Sequence, residues 1–425
     1  MTNKTRPLFI TLTWLAMVII PLPLVLLLNH GVIDTPEHLA AYDCGAFAYV
    51  WWLLIVLLST RQRWLTQRIG MPALYGIHGG LGMMALVAAT IHRFTSFSMF
   101  PTIKVTGNIA WYLEIVLLAY AVFFLSGWLV DRFRNARRLK AWLEHHLLNH
   151  QVTMWIHRLN FVVIGLIWTH VNLIPRLRNV PGLIVTFDAY TIVALLVYCW
   201  WKLRSRPQGT VISNQALGKT TRELNIALHD SSNYRAGDFY FLSFQGVKGV
   251  SSEPHPFSVA SVPGQTPTMV KFIIQQCGDF TRQIDSIQQG THVLLEGPYG
   301  MFDHEVRNSI GPVILYGLGT GIAPLLSLAG QYASKKEIQL FWSGSEVNSA
   351  GYQDTLVRLE KLGVRIITQR HRFTQEQLSN LISARQVETG QVIIVGSASK
   401  VLYVHRSLRR RGFASSQLHD ERITL

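Results

Sequence analysis

Four of the sixteen histidines in this 425-residue chain fall inside long apolar runs: His78 and His92 in one run, His157 and His170 in another. An imidazole in hydrocarbon is costly unless it is paired or liganded. A lone one reads most simply as a donor to a neighbouring helix, but two pairs on two runs shift that reading. Their separations of 14 and 13 residues correspond to about 21 and 19.5 Å of helix rise. Two parallel helices would then offer two histidine pairs at two depths, each able to grip a planar metal macrocycle from both faces. That is bis-histidine ligation of a b-type haem through neutral imidazole nitrogens. Fourteen residues return to nearly the same helix face, about 40° off, whereas thirteen miss by about 140° on a straight helix. The second run therefore needs a local distortion, and Gly165 is the expected place for it.

Other residues in the same runs have two readings each. Gly76, Gly79, Gly80 and Gly82 surround His78 and would admit either a macrocycle or a closely packed helix. Arg93, Arg176 and Arg178 lie near His92 and His170, as partners for haem propionates or as plain loop charges. Met84 and Phe161 fall between the two depths, as core packing or as an electron route.

A second group of motifs lies beyond residue 250. His255-Pro256-Phe257-Ser258-Val259-Ala260-Ser261 follows a loop, and Gly278-Asp279-Phe280-Thr281 opens an expected helix over 281–288. A helix start with a glycine and a hydroxyl suits a pyrophosphate, because free N–H groups and the dipole point at it; a plain capped helix has the same residues. Glu296-Gly297-Pro298-Tyr299-Gly300 reads as a tight turn. Gly317-Leu318-Gly319-Thr320-Gly321-Ile322-Ala323-Pro324 joins an expected strand at Pro312–Tyr316 to a helix, the context of a phosphate-cradling loop. It reads GxGxG and falls short of the full GxGxxG fingerprint.

These residues need elements to hold them. Residues 1–206 carry six apolar spans, at about 8–28, 43–59, 73–92, 108–130, 153–174 and 183–203, each near the roughly 20 residues that cross a bilayer. The second is short. The apolar run Leu8 to Leu28 exceeds a signal-peptide h-region, and no small-residue cleavage site follows it. Thirteen Lys and Arg residues, from Lys4 and Arg6 through Arg132 to Arg206, sit in alternate connecting segments, against four (Arg93, Lys104, Arg176, Arg178) in the others. The positive-inside rule then puts both ends of this half in the cytoplasm, in a multi-pass plasma membrane with lipid as its surroundings. Trp51, Trp52, Trp111, Trp128, Trp200 and Trp201 read as interface belts. Residues 207–305 show short strands at 239–244, 269–274 and 291–295, the rhythm of a small antiparallel barrel. Residues 306–425 alternate strands at 337–342, 364–368 and 391–395 with helices at 352–362 and 374–383, the rhythm of a parallel sheet with covering helices.

Composition sets limits on the whole. Charged residues are only 15% of the chain and hydrophobic ones 49%, which excludes disorder and a chain that is soluble throughout. Cys44, Cys199 and Cys277 form no CxxC or CxxH pattern, which argues against a disulfide scaffold, a structural zinc site or a c-type haem. The net charge of +15 is mainly a topology signal. No basic stretch is interleaved with exposed aromatics, so nucleic acid is not an expected partner.

The order of motifs resembles the NADPH oxidase and ferric reductase superfamily of transmembrane flavocytochromes b, over nearly the whole chain. The resemblance rests on the membrane histidines, then HPFSVAS, GDFT, EGPYG and GLGTGIAP. It implies a six-helix haem bundle, an antiparallel barrel for FAD and an α/β nucleotide domain of ferredoxin–NADP reductase type. It implies two b-type haems on His78, His92, His157 and His170, and FAD at His255, Pro256, Phe257 and Ser258, with its pyrophosphate at Gly278, Asp279, Phe280 and Thr281. It implies NADPH or NADH at Gly317, Gly319, Thr320, Gly321, Gly396 and Ser397, with Ser345 and Arg370 or Arg372 nearby. The chain departs from the family in several places. Gln275 stands where a basic residue is usual, Val395-Gly396-Ser397 replaces Cys-Gly-Pro, and the chain ends Glu421-Arg422-Ile423-Thr424-Leu425 without a covering aromatic. Glu346 would suit a free ribose, and the stretch His38 to Cys44 lacks the arginine that family oxidases carry.

The expected function is transfer of electrons from cytosolic NAD(P)H through FAD and two haems to an external small-molecule acceptor, O2 or ferric iron. No side-chain general base or nucleophile is required, and no obligatory protein partner is visible. Other readings are a flavin-dependent reductase on a structural membrane anchor, a donor to a separate periplasmic redox protein, and a transporter governed by a nucleotide domain.

Overall fold

The computed structural model describes residues 5–126, 130, 133–146, 150–204, 206–229, 233–265 and 268–423. Lys4, Trp128, Arg132, Thr424 and Leu425 therefore lie outside the described residues. The chain forms two compact units, one over Thr5–Arg204 and one over Ser205–Leu425.

The first unit is all helix: α1 (Thr5–Ile19), α2 (Leu22–Gly31), α3 (Pro36–Leu58), α4 (Arg63–Ile69), α5 (Met71–Thr95), α6 (Pro101–Phe124), α7 (Arg134–His146), α8 (His150–Arg158), α9 (Asn160–Asn172), α10 (Pro175–Arg178) and α11 (Leu183–Leu203). Among the described residues six stretches are long and apolar enough to cross a membrane: Arg6–Gly31, Pro36–Leu58, Met71–Thr95, Pro101–Phe124, Val152–Asn172 and Leu183–Leu203. Proline starts several of them, where its missing N–H costs nothing and its φ is already helical. Thr35 caps α3 by accepting from the His38 N–H at 3.4 Å, and Glu37 sits in the first turn.

Two spans differ from expectation. The second is full length, because Pro36 starts the helix seven residues before Asp43. The fourth begins at Pro101 and ends at Phe124, against the expected 108–130. Lys104, expected in a loop, lies in its first turn with its ammonium 4.9 Å from the Phe97 ring centroid, so its long stem keeps the charge at the helix end.

Several buried polar groups on these helices find partners across the bundle, as hydrocarbon favours. Tyr49 Oη pairs with Thr191 Oγ1 at 2.8 Å, joining α3 to α11. Trp51 donates to the Met17 carbonyl at 2.8 Å. Trp111 donates to Thr90 Oγ1 at 3.0 Å. Trp51 and Trp52 are buried, so these two belong to the interior and not to an interface belt; Trp200 is exposed, as a belt residue would be.

The second unit opens with six antiparallel strands: β1 (Gln208–Ala216), β2 (Thr221–Leu228), β3 (Phe239–Phe244), β4 (His255–Ser258), β5 (Met269–Gln275) and β6 (His292–Tyr299). Their order is β4-β3-β6-β1-β2-β5, and a bridge between Val259 and Phe272 brings the two edges together into a barrel. Alternate residues fill it: Val211, Leu224, Ile226, Leu242, Phe272 and Leu295 are fully buried. Glu296–Tyr299 continues β6, so EGPYG is a strand end and not the tight turn expected.

Five parallel strands follow, β7 (Val313–Leu318), β8 (Ile338–Ser343), β9 (Arg365–Gln369), β10 (Gln391–Ser397) and β11 (Leu418–Ile423), in the order β11-β10-β7-β8-β9. β7 and β8 are buried at every position, as a sheet covered on both faces requires. The order reverses between β7 and β10, which makes a topological switch point where their carboxyl ends part.

Candidate functional site

Each pair of histidines meets across α5 and the α8–α9 segment. The His78 and His157 ring centroids are 6.2 Å apart, inclined at 50°. Those of His92 and His170 are 6.4 Å apart and perpendicular. A metal–imidazole bond of about 2 Å on each side puts the centroids of two trans rings about 6.4 Å apart. Among the described residues no three His, Cys, Asp or Glu side chains converge. Pairs suit axial ligation of a macrocycle and do not suit a tetrahedral ion.

The ring nitrogens are set for it. His92 Nδ1 lies 2.9 Å from the Ala41 carbonyl and His170 Nδ1 2.9 Å from the Ile103 carbonyl. A carbonyl can only accept, so Nδ1 carries the proton and Nε2 keeps its lone pair, as a histidine that ligates through Nε2 requires. His78 has the Ile55 carbonyl as a partner, while His157 Nδ1 is buried without one. Two glycines fix the second tier. A Cβ on Gly45 of α3 would come 3.0 Å from the His92 ring, and one on Gly107 of α6 would come 3.0 Å from the His170 ring.

The distortion needed between His157 and His170 falls at Leu159, which separates α8 from α9, and not at Gly165. There the Asn160 Nδ2 donates to the His157 carbonyl at 2.7 Å, and the N–H of Val162 reaches the Leu159 carbonyl in a tightened turn. Gly76 and Gly79 have open space where a side chain would stand, while Gly80 meets Trp14 at 3.3 Å and Gly82 has ordinary contacts. The first two thus fit a cradle better than a helix contact.

Of the three arginines, Arg176 bonds Asp34 at 2.8 Å and stands over the Tyr42 ring, and Arg178 donates to the Asn172 carbonyl. Arg93, next to His92, keeps a buried Nε without a partner, which fits an anionic group such as a propionate. The Asp34 carboxyl is held well below the usual carboxylate range by hydrogen bonds from His38 first, then the Thr35 N–H and Arg176. Met84 is exposed and Phe161 packs on Tyr198, so neither stands between the tiers. Sequence reading missed the residues that do, Trp52 and Glu114, though one acid in an apolar run was the available signal.

In the second unit, His255 stacks on Phe280 with centroids 3.9 Å apart. Phe257 and Phe244 flank the same ring at 6.0 Å each. Phe280 is therefore committed to the barrel core, while Pro256 is exposed and Ser258 half-buried on β4. The expected helix over 281–288 is a four-residue turn, Asp279–Arg282, followed by a 3-10 turn to Ser286. Thr281 Oγ1 accepts from the N–H groups of Cys277 and Gly278 at 3.0 and 2.9 Å. The side chain of Asp279 lies outside the described residues.

The glycine loop occupies the switch point. Gly319 has φ of 64°, a conformation that favours glycine. A Cβ on Gly321 would come 2.1 Å from the Val395 carbonyl, one on Gly396 2.5 Å from Leu318 Cβ, and one on Gly317 3.1 Å from Ile322 Cα. Thr320 donates to Gln275 Oε1 at 3.4 Å. Ser397 precedes the helix Ala398–Arg411. Ser345 and Arg370 are exposed just past the carboxyl ends of the adjacent strands β8 and β9.

Glu346 is not free for a ribose. Its carboxylate accepts from the N–H groups of Lys219 and Thr220 at 2.9 Å each, and from Thr220 Oγ1 and Ser349 Oγ at 3.0 Å. It binds the β1–β2 hairpin loop to the α/β half. Burial pushes its carboxyl up, but the Thr220 N–H and the other donors outweigh this and hold it below its ordinary value.

Residues 211–303 match the FAD-binding domain family. The respiratory burst oxidase homolog protein A of Arabidopsis thaliana is 24% identical over 245 residues, 50% of this chain and 26% of that one. The reductase component of propane 2-monooxygenase from Gordonia sp. (strain TY-5) is 32% identical over 110 residues, 25% of this chain. The chain spans only 30% of that relative's length. A ferredoxin NADP+ reductase structure from Neisseria gonorrhoeae aligns with 52% of this chain and 99% of its own, at 20% identity and a TM-score of 0.46. With six apolar helices ahead of an FAD-binding barrel and a doubly wound α/β half, the chain is NADPH oxidase- and ferric reductase-like.

Proposed function

We propose that the protein is a flavin-dependent NAD(P)H reductase that passes electrons across a membrane to an acceptor on the far side. FAD in the barrel would split the electron pair of a hydride, and haem on the histidine tiers would carry electrons singly. The observation that carries this reading is the pair of tiers, each with the ring spacing of a bis-imidazole site.

The residues of the chain do the positioning. The switch-point glycines let a dinucleotide approach the backbone, and Ser345 and Arg370 stand where its ribose end would lie. The positive-inside count puts both ends of the helical unit in the cytoplasm, which makes His78–His157 the inner tier and His92–His170 the outer. With both axial positions taken by imidazole, the acceptor, O2 or a ferric chelate, would be reduced without binding the metal. The arginine absent from His38 to Cys44 has a spatial counterpart in Arg176 over Tyr42, whose ring meets that of His92 edge-on at 6.5 Å.

Replacing His92 or His170 by Ala should remove one haem of two and abolish reduction of a membrane-impermeant acceptor, while NAD(P)H still reduces the flavin. External reduction at the wild-type rate in the double variant would overturn the proposal. A superoxide assay with a dismutase control beside a ferric-chelate assay, each with NADH and NADPH, separates the acceptors and the donors.

A further inference from the structure

Glu114 is an acid in the middle of an apolar span, and its place is specific. It is 3% exposed and its Oε2 has no hydrogen-bond partner. It follows Gly107, whose Cα abuts the His170 ring, by seven residues. Seven residues turn a helix through nearly two full turns, so Glu114 projects from the same face of α6, about 10.5 Å along it. Trp52 stands in the same relation to Gly45, seven residues on from the contact with His92. Its Nε1 is likewise buried, and it is the N–H donor that faces the Glu114 carboxylate. The tiers are about 21 Å apart along α5, so Glu114 and Trp52 lie midway between them, inside the bundle.

A carboxylate with the Trp52 indole as its neighbouring donor is only weakly stabilised in hydrocarbon, so it holds a proton readily when one arrives, and a purely structural site would be better filled by leucine. We propose that Glu114 is a proton-binding site between the tiers: its carboxylate takes a proton from water as an electron enters the span and returns it as the electron leaves. Only the O–H bond forms and breaks, and the proton balances the electron's charge in a medium that screens poorly. On the elements packed against α6, the titratable and charged groups with buried atoms or a bond to α6 are His78, His92 and Arg93 of α5, His157 and His170 of the α8–α9 segment, and Lys140 of α7, which donates to the Phe124 carbonyl at 2.8 Å. Tyr120 of α6 itself donates to Thr153 Oγ1 at 3.1 Å. Tyr49 of α3 is bonded to Thr191, and Tyr112 is exposed.

The inference rests on haem being held by the tiers, so the test reads haem separately. Redox-difference infrared spectra of the detergent-purified holoprotein should show a protonated-carboxyl band on reduction that shifts in D2O and is lost in Glu114→Gln. The haem midpoint potentials should fall with rising pH in the wild type and lose that slope in Glu114→Gln, with haem content unchanged. Glu114→Asp should keep the slope, and it serves if the glutamine variant does not assemble. Absence of haem would overturn the function proposed above. Two haems with no carboxyl band, or a band and slope that survive in Glu114→Gln, would overturn the proton site alone.

Discussion

At the scale of single residues, contact distances decide what each site tolerates. Gly45→Ala and Gly107→Ala each drive a methyl to about 3 Å of an imidazole, closer than carbon atoms normally pack. Each should lose the second-tier haem while flavin content holds, as pyridine haemochromogen and flavin assays on one preparation would show. Glu346→Ala strands three donors of the hairpin loop and the Ser349 hydroxyl and should cost about 2 kcal/mol or more, seen as a lower thermal midpoint, with the NADH to NADPH preference unmoved. A change in that preference would mean the carboxylate meets the ribose after all. Glu421, on β11, is pushed up to about 7 by burial and then by the neighbouring Asp238. A carboxyl raised above its unfolded value favours the fold below that unfolded value, and this is lost as pH climbs to 7. Thermal stability should therefore fall by about 2 kcal/mol between roughly pH 4.5 and 7, and Glu421→Gln should flatten the profile.

At the scale of elements, the break at Leu159 determines whether two histidines thirteen residues apart can share a side. Deleting one residue between 160 and 169 should rotate His170 by about 100° and halve the ratio of haem to flavin, without unfolding the second unit. This break also shows the limit of sequence reading. The phase mismatch between His157 and His170 announced that a distortion must exist, but Gly165 was the wrong place for it. Backbone freedom was not what mattered there; a side-chain amide from Asn160 competes for the His157 carbonyl, and that competition leaves no compositional trace. Strand rhythm gave β3, β5, β8, β9 and β10 nearly to the residue, because buried strands alternate with glycine- and proline-rich breaks. β1 and β2 were missed, since QGTVISNQA and TRELNIAL are half polar and mark only one buried face. The fourth span was misplaced because Lys104 read as loop, although a long cation at a helix end is at home there. The tiers themselves were legible because imidazoles in hydrocarbon are conspicuous; Glu346 was misread because its partners come from a hairpin more than a hundred residues earlier.

At the scale of the whole molecule, the two units present different surfaces. The first exposes many large apolar side chains and keeps a few buried polar atoms without protein partners at the histidine tiers and between them; the second buries a barrel and a sheet. Metal and pigment analysis of the intact chain should return two haems for each flavin. A ratio of one or none would leave the helices as an anchor.

The grip of Gly45 and Gly107 has one more consequence. A ring wedged against backbone, with its Nδ1–H tied to a carbonyl, has little room to swing. Were such a ring to hold a redox metal, its rearrangement on gain or loss of an electron would be small, and that stiffness would suit rapid turnover in either direction.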